Sequence, residues 1–130
     1  MENITYPVIY GVDGEEHYVS FSNDYLTDVS SDSFEELVKE ASEVLGLYAV
    51  DLHDNKEELR IPKAEDLILE KNEKILFLNI WLPYYIAMTK EEYKKKTLTI
   101  PTWLDLLAKN KNINFSQVLV NGLKKELGIE

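Results

Sequence analysis

The sequence predicts an α+β protein in two parts, and three observations carry that expectation. Runs with strand-like alternation open the chain, a long run of apolar groups at helical spacing follows, and a strand-helix-helix pattern closes it. Charge divides the same way: residues 1–89 hold 19 acidic and 6 basic side chains, a net of −13, whereas residues 90–130 hold 5 and 8, a net of +3. An apolar content of 45% supports a folded core, and 130 residues suffice for two small domains. We place the first domain at 1–87, a linker at 88–94 and the second domain at 95–130.

In the first domain, Tyr6, Val8, Tyr10 and Val12 alternate with Pro7, Ile9 and Gly11, giving a strand that is apolar on both faces. Asp13-Gly14 suits the positive-φ centre of a tight hairpin. The return strand is expected at His17–Phe21 and a short third strand at Tyr25–Val29. Ser33 with Glu36 reads as a capping box, after which Phe34, Leu37, Val38, Ala41, Leu45, Tyr48 and Leu52 mark the longest amphipathic helix. Its other face carries Glu35, Glu36, Lys39, Glu40 and Glu43, which suits solvent or a cationic partner. Asp54–Glu73 is polar and contains Pro62, so a loop with one short ordered piece is expected. Ile75–Leu82 is apolar except at Asn79, the pattern of a central strand buried on both faces. Pairing it parallel to the first strand, with the helix as crossover, satisfies the handedness rule.

In the second domain, Lys94-Lys95-Lys96 precedes a strand in which Leu98 and Ile100 share one face and Lys95, Thr97 and Thr99 the other. Pro101 suits the first position of a helix reaching about Lys109, with Leu104, Leu107 and Ala108 as its stripe. A break at Asn110-Lys111-Asn112 leads to a second helix capped by Asn114 and ended by Gly128, with Phe115, Val118, Leu119, Leu123 and Leu127 facing inward. Such a segment is too short to enclose a core alone, so dimerisation is expected. Two strands paired antiparallel make a ribbon that fits the DNA major groove. Lys94 and Lys95 suit phosphate or guanine, Thr97 and Thr99 suit base edges, and Asn114, Phe115 and Ser116 stand at a helix N-terminus that suits phosphate. The plainer reading makes the threonines ordinary strand formers and Asn114 only a cap.

These residues resemble a known family. Lys96-Thr97-Leu98-Thr99-Ile100-Pro101, Asn114-Phe115-Ser116-Gln117-Val118-Leu119 and Leu123-Lys124-Lys125-Glu126-Leu127-Gly128 resemble the ribbon-helix-helix module of HicB-type antitoxins. Tyr6-Pro7-Val8-Ile9-Tyr10, Tyr18-Val19-Ser20-Phe21, Ser33-Phe34-Glu35-Glu36 and Ala41 to Leu52 resemble that family's partial ribonuclease-H-like domain. One departure is Ser22-Asn23-Asp24-Tyr25-Leu26, where the family has a Pro-Asp-Leu-Pro-Gly-like loop. The resemblance implies a cytoplasmic homodimeric antitoxin that represses its own operon by binding operator DNA and neutralises a HicA-like messenger-RNA interferase. An acidic surface suits a protein that grips RNA, and Asp13, Glu15, Tyr18, Asp24 and Asp28 are the candidate toxin contacts.

Catalysis and cofactors are not expected. Asp13, Asp24, Asp28 and Asp51 share no identifiable face, His17 and His53 lack neighbours at ligand spacing, and no phosphate-cradling glycine loop or nucleophile elbow occurs. The chain has no Cys, which leans toward a reducing compartment. It has no apolar run long enough to span a bilayer and no leader-like N-terminus, so a soluble cytoplasmic protein is expected. The alternative is a repressor whose first domain senses a ligand or metal; a carboxylate hydrolase is a third.

Overall fold

The hairpin forms one residue later than the Asp13-Gly14 reading places it. Asp13 pairs with Glu16, and Gly14, at φ +66°, is the turn residue that needs a left-handed conformation. It joins β1 (Asn3–Asp13) to β2 (Glu16–Ser20). This computed structural model describes residues 3–90 and 93–129. The chain divides into two units, Met1–Tyr93 and Lys94–Glu130.

β3 is Val29–Ser31 rather than Tyr25–Val29. The Asn23 side chain accepts the Tyr25 N–H at 2.8 Å and its carbonyl accepts the Leu26 N–H at 3.1 Å. This asparagine turn takes the donors that a strand would need. α1 (Phe34–Asp54) starts where expected, with the Ser33 hydroxyl accepting the Glu36 N–H at 3.3 Å. The reciprocal half of the box is not made, because the Ser33 N–H goes to the Ser31 hydroxyl.

After α1 come a 3₁₀ turn (Ala64–Asp66), β4 (Lys74–Trp81) and α2 (Leu82–Lys90). β4 corrects two expectations: it pairs antiparallel to β1, and it lies at the edge of the sheet order β3-β2-β1-β4. The loop 55–73 explains the direction. Tyr10, near the end of β1, packs on Phe34 at the start of α1, whereas Ile4, near the start of β1, lies with Ala49 and His53 near the helix end. α1 therefore runs against β1, and the loop returns the chain along the sheet before β4 begins opposite Tyr10. At roughly 3.3 Å per residue, a loop of this length has ample reach.

The core lies between the sheet and α1. Ile4, Tyr6, Val8, Val19, Leu78 and Ile80 meet Leu37, Ala41, Leu45 and Ala49, and full burial of such aliphatic side chains contributes roughly 1.5–3 kcal/mol each. α2 was not expected. It occupies 88–90 of the anticipated linker, of which Glu91 and Glu92 lie outside the described residues. Tyr85 anchors it, its ring lying directly over Gly46 of α1, where a Cβ would overlap it.

The opposite sheet face follows from the register. Thr5, Pro7, Ile9 and Gly11 of β1 stand opposite Asn79, Phe77 and Ile75 of β4 on one side and Ser20 and Tyr18 of β2 on the other. Phe77 is 57% and Trp81 56% exposed. The apolar run of β4 is thus buried on one face only.

α1 closes with Lys56 at φ +58°, its N–H donating to the His53 carbonyl and the Glu57 N–H donating to Leu52 at 2.8 Å. A side chain is disfavoured in that conformation. Lys56→Gly is expected to stabilise the protein by about 0.5–1 kcal/mol after its entropy cost in the unfolded chain, read as a higher melting temperature.

The second unit holds α3 (Thr102–Asn110) and α4 (Phe115–Leu127). Pro101 precedes the first helical residue rather than being it. Asn112, at φ +55°, and Gly128, at φ +71°, end the two helices in the left-handed conformation. No residue of either helix is buried.

Candidate functional site

The basic segment is exposed as expected, but its strand is not formed. Residues 93–100, including Lys94, Lys95, Thr97 and Thr99, make no ladder and no helix. A strand is completed by hydrogen bonds to a neighbour, and this segment meets none among the described residues. Asn114 caps α4 through its side-chain oxygen, which accepts the Gln117 N–H at 3.0 Å. The Gln117 amide donates to Asn121 instead of returning to the cap. Phe115 and Ser116 stand on the exposed first turn. Helix N-termini suit phosphate through their outward N–H groups.

The two helices carry an exposed apolar stripe. Leu104, Leu107, Phe115, Val118, Leu123 and Leu127 are all exposed, while Ala108 and Leu119 are half-buried. Exposed apolar side chains gathered on one face are the kind of surface that protein interfaces bury.

The acidic candidates separate into two groups. Asp13 ends β1 near the Tyr18 hydroxyl, which its charge influences, and Glu15 occupies the adjoining turn. Asp24 and Asp28 belong to the loop after β2, whose Leu26 enters the core and whose Tyr25 stacks on Tyr48 of α1. They therefore do not join the Tyr18 group. The sequence reading missed Glu73, which accepts the Tyr18 hydroxyl at 2.6 Å through Oε2 and the Glu70 N–H at 2.7 Å through Oε1. Tyr18 and Glu73 lie 55 positions apart, so only the strand pairing brings them together.

This pair perturbs both groups. Donation to the Glu73 carboxylate pushes the Tyr18 hydroxyl up to about 12, while accepting Tyr18 and the Glu70 N–H holds Glu73 below the ordinary carboxylate range. The signs fix two pH windows. Stabilisation through Tyr18 is complete below its ordinary value of 10 and lost as pH rises through about 12. Stabilisation through Glu73 is complete above its ordinary value of 4.5 and lost as pH falls through its lowered one. Ultraviolet titration of the phenolates is expected to show one tyrosine ionising near pH 12, and Glu73→Gln to return it toward 10; an identical titration in the variant would contradict the pairing.

Elsewhere, the Tyr10 hydroxyl hydrogen-bonds His17 Nδ1 at 2.6 Å, and both rings pack on Phe34, which accounts for His17 as a packed side chain. Among the described residues no three His, Asp or Glu side chains gather closely enough to hold a metal ion. No helix there is long and apolar enough to cross a membrane. A cleft of about 250 Å³ opens beside Ile4, Ala49, His53, Leu59 and Leu82.

No protein-family model and no curated protein matches the chain. A solved structure described as a toxin-antitoxin complex from Streptococcus pneumoniae does, with 25% sequence identity and a TM-score of 0.57. The match covers 95% of this chain and 99% of that one, so the chain is similar to a component of a toxin-antitoxin complex across both of its units.

Proposed function

We propose that this protein is the antitoxin of a toxin-antitoxin pair and works by binding rather than by catalysis. The observation that carries this reading is the similarity, across both units, to a chain of a toxin-antitoxin complex. In this reading the acidic first unit holds a small basic toxin of the HicA-like interferase kind and covers its RNA-binding surface, with charge complementarity speeding capture. The second unit is one half of a ribbon-helix-helix dimer. Residues 95–100 of two chains pair into an antiparallel ribbon, and the apolar stripes of α3 and α4 close over it from below. Lys95, Thr97 and Thr99 then face the operator, while Lys94 and the first turn of α4 meet phosphates. Exposed apolar side chains on both helices and the unpaired basic segment support this assembly.

Replacing Lys95, Thr97 and Thr99 together by Ala is expected to abolish gel-shift binding to the protein's own promoter while leaving growth rescue from the co-expressed toxin intact. Wild-type affinity should fall steeply with added salt, since each phosphate contact releases counterions. Unchanged binding by the triple variant would remove the ribbon assignment. A second reading, a ligand-sensing repressor, draws on the 250 Å³ cleft at the end of α1. It requires operator affinity to respond to a small molecule with no second protein present.

A further inference from the structure

The sheet face turned away from α1 is built unlike a solvent face. An antiparallel sheet covered on one side ordinarily presents polar groups on the other. Here the outer face of β4 presents Ile75, Phe77 and Trp81, with Asn79 as the one polar group among them, and of the β1 residues beside them Pro7 is buried, Ile9 half-buried and Thr5 exposed. Phe77 and Trp81 leave more than half their surface open, and aromatic side chains of this kind dominate protein interfaces.

Charge on the same face is one-sided. By register Asp13 and Glu16 share it with Gly11 and Tyr18, and the Tyr18 hydrogen bond brings Glu73 to the same end. None of the residues that β1, β2, β3 and β4 place on this face is Lys or Arg. An apolar centre with a purely acidic end suits a cationic partner. It disfavours a second copy laid in the parallel sense, whose acidic ends would repel.

We propose that this face, centred on Phe77 and Trp81 with Asp13, Glu16 and Glu73 at one end, is the surface on which the basic toxin docks. The inference rests on the antitoxin reading and sharpens it: it keeps Asp13 and Tyr18 as contacts, adds the aromatic centre, and leaves Asp24 and Asp28 outside. The aromatic pair supplies the buried anchor. The acidic end orients the toxin's cationic surface before that anchor closes.

The test uses the full chain and the short basic protein encoded beside it, co-expressed and then titrated as purified proteins. Phe77→Asp with Trp81→Asp is expected to weaken the complex about 100-fold or more, although the change makes the face more acidic. Both positions are exposed, and an unchanged melting curve will confirm the fold. Glu16→Lys with Glu73→Lys is expected to slow association about 10-fold at low salt. In a Trp103→Phe background Trp81 becomes the only tryptophan, and its emission is expected to shift to the blue and lose acrylamide quenching on addition of the partner. Wild-type binding by the double Asp variant, together with Trp81 of the Trp103→Phe protein still quenched in its own complex, overturns the surface and leaves the antitoxin reading standing. Loss of self-association without loss of partner binding assigns the face to a second copy and also overturns the proposal. Failure of the wild-type chain to bind the basic protein at all defeats the antitoxin reading itself.

Discussion

Val118→Asp is expected to leave the protein monomeric, with its last two helices melted and operator binding gone, while the first unit keeps its melting transition. Val118 is 56% exposed and lies on the α4 stripe with Phe115, Leu123 and Leu127. Within one chain a charge there costs little, because more than half of the residue's surface meets water. Within the proposed dimer the same position is core. Burying a valine contributes roughly 1.5–3 kcal/mol, and twofold symmetry places the change in the interface twice. The expected loss is then about 3–6 kcal/mol, or roughly 10²- to 10⁴-fold in the dimerisation constant. Sedimentation reads the mass and far-ultraviolet circular dichroism the helices. A variant that stays dimeric with full helicity would show that α4 holds no subunit contact.

Gly46→Leu is expected to destabilise the first unit by about 3 kcal/mol, at the upper end of overpacking costs. Helix propensity alone argues the other way, since glycine inside a helix costs about 1 kcal/mol against a good helix former. The difference is Tyr85, whose buried ring rests on the bare backbone of Gly46. Any side chain at that position expels the ring and loosens α2. Tyr85→Ala should therefore hide much of the damage, so that the double variant costs less than the sum of the two single ones. Chemical denaturation of the four proteins measures that coupling; simple additivity would mean that the ring and the glycine act independently.

The parts of the fold legible in the sequence were those set by neighbours along the chain. The Ser33 and Asn114 caps, the α1 stripe from Leu37 to Leu52 and the glycine stop at Gly128 each depend on residues a few positions apart. What was not legible depends on distant partners. The apolar run of β4 fits a central strand and an edge strand equally well, and only the strand order decides between them. Asn79 was the one local sign of an open face. Gly46, a lone glycine inside a strong helical pattern, was the local sign of a close approach, but what approaches it is Tyr85 of α2, a helix that the sequence did not announce. The candidate site divides along the same line. Asp13 and Tyr18 come from one hairpin and meet as local residues do, whereas Glu73 reaches them only through the register of the sheet.

Residues 93–100 find no strand partner among the described residues of their own chain. In the proposed assembly this makes completion of the second unit a bimolecular event, so the concentration of dimer able to grip DNA rises with the square of the free chain when the chain is scarce. Repression then switches on over a narrow range of antitoxin abundance. In the proposed assembly the repressed operon would thus count its own product, and proteolysis of part of the pool would reopen transcription.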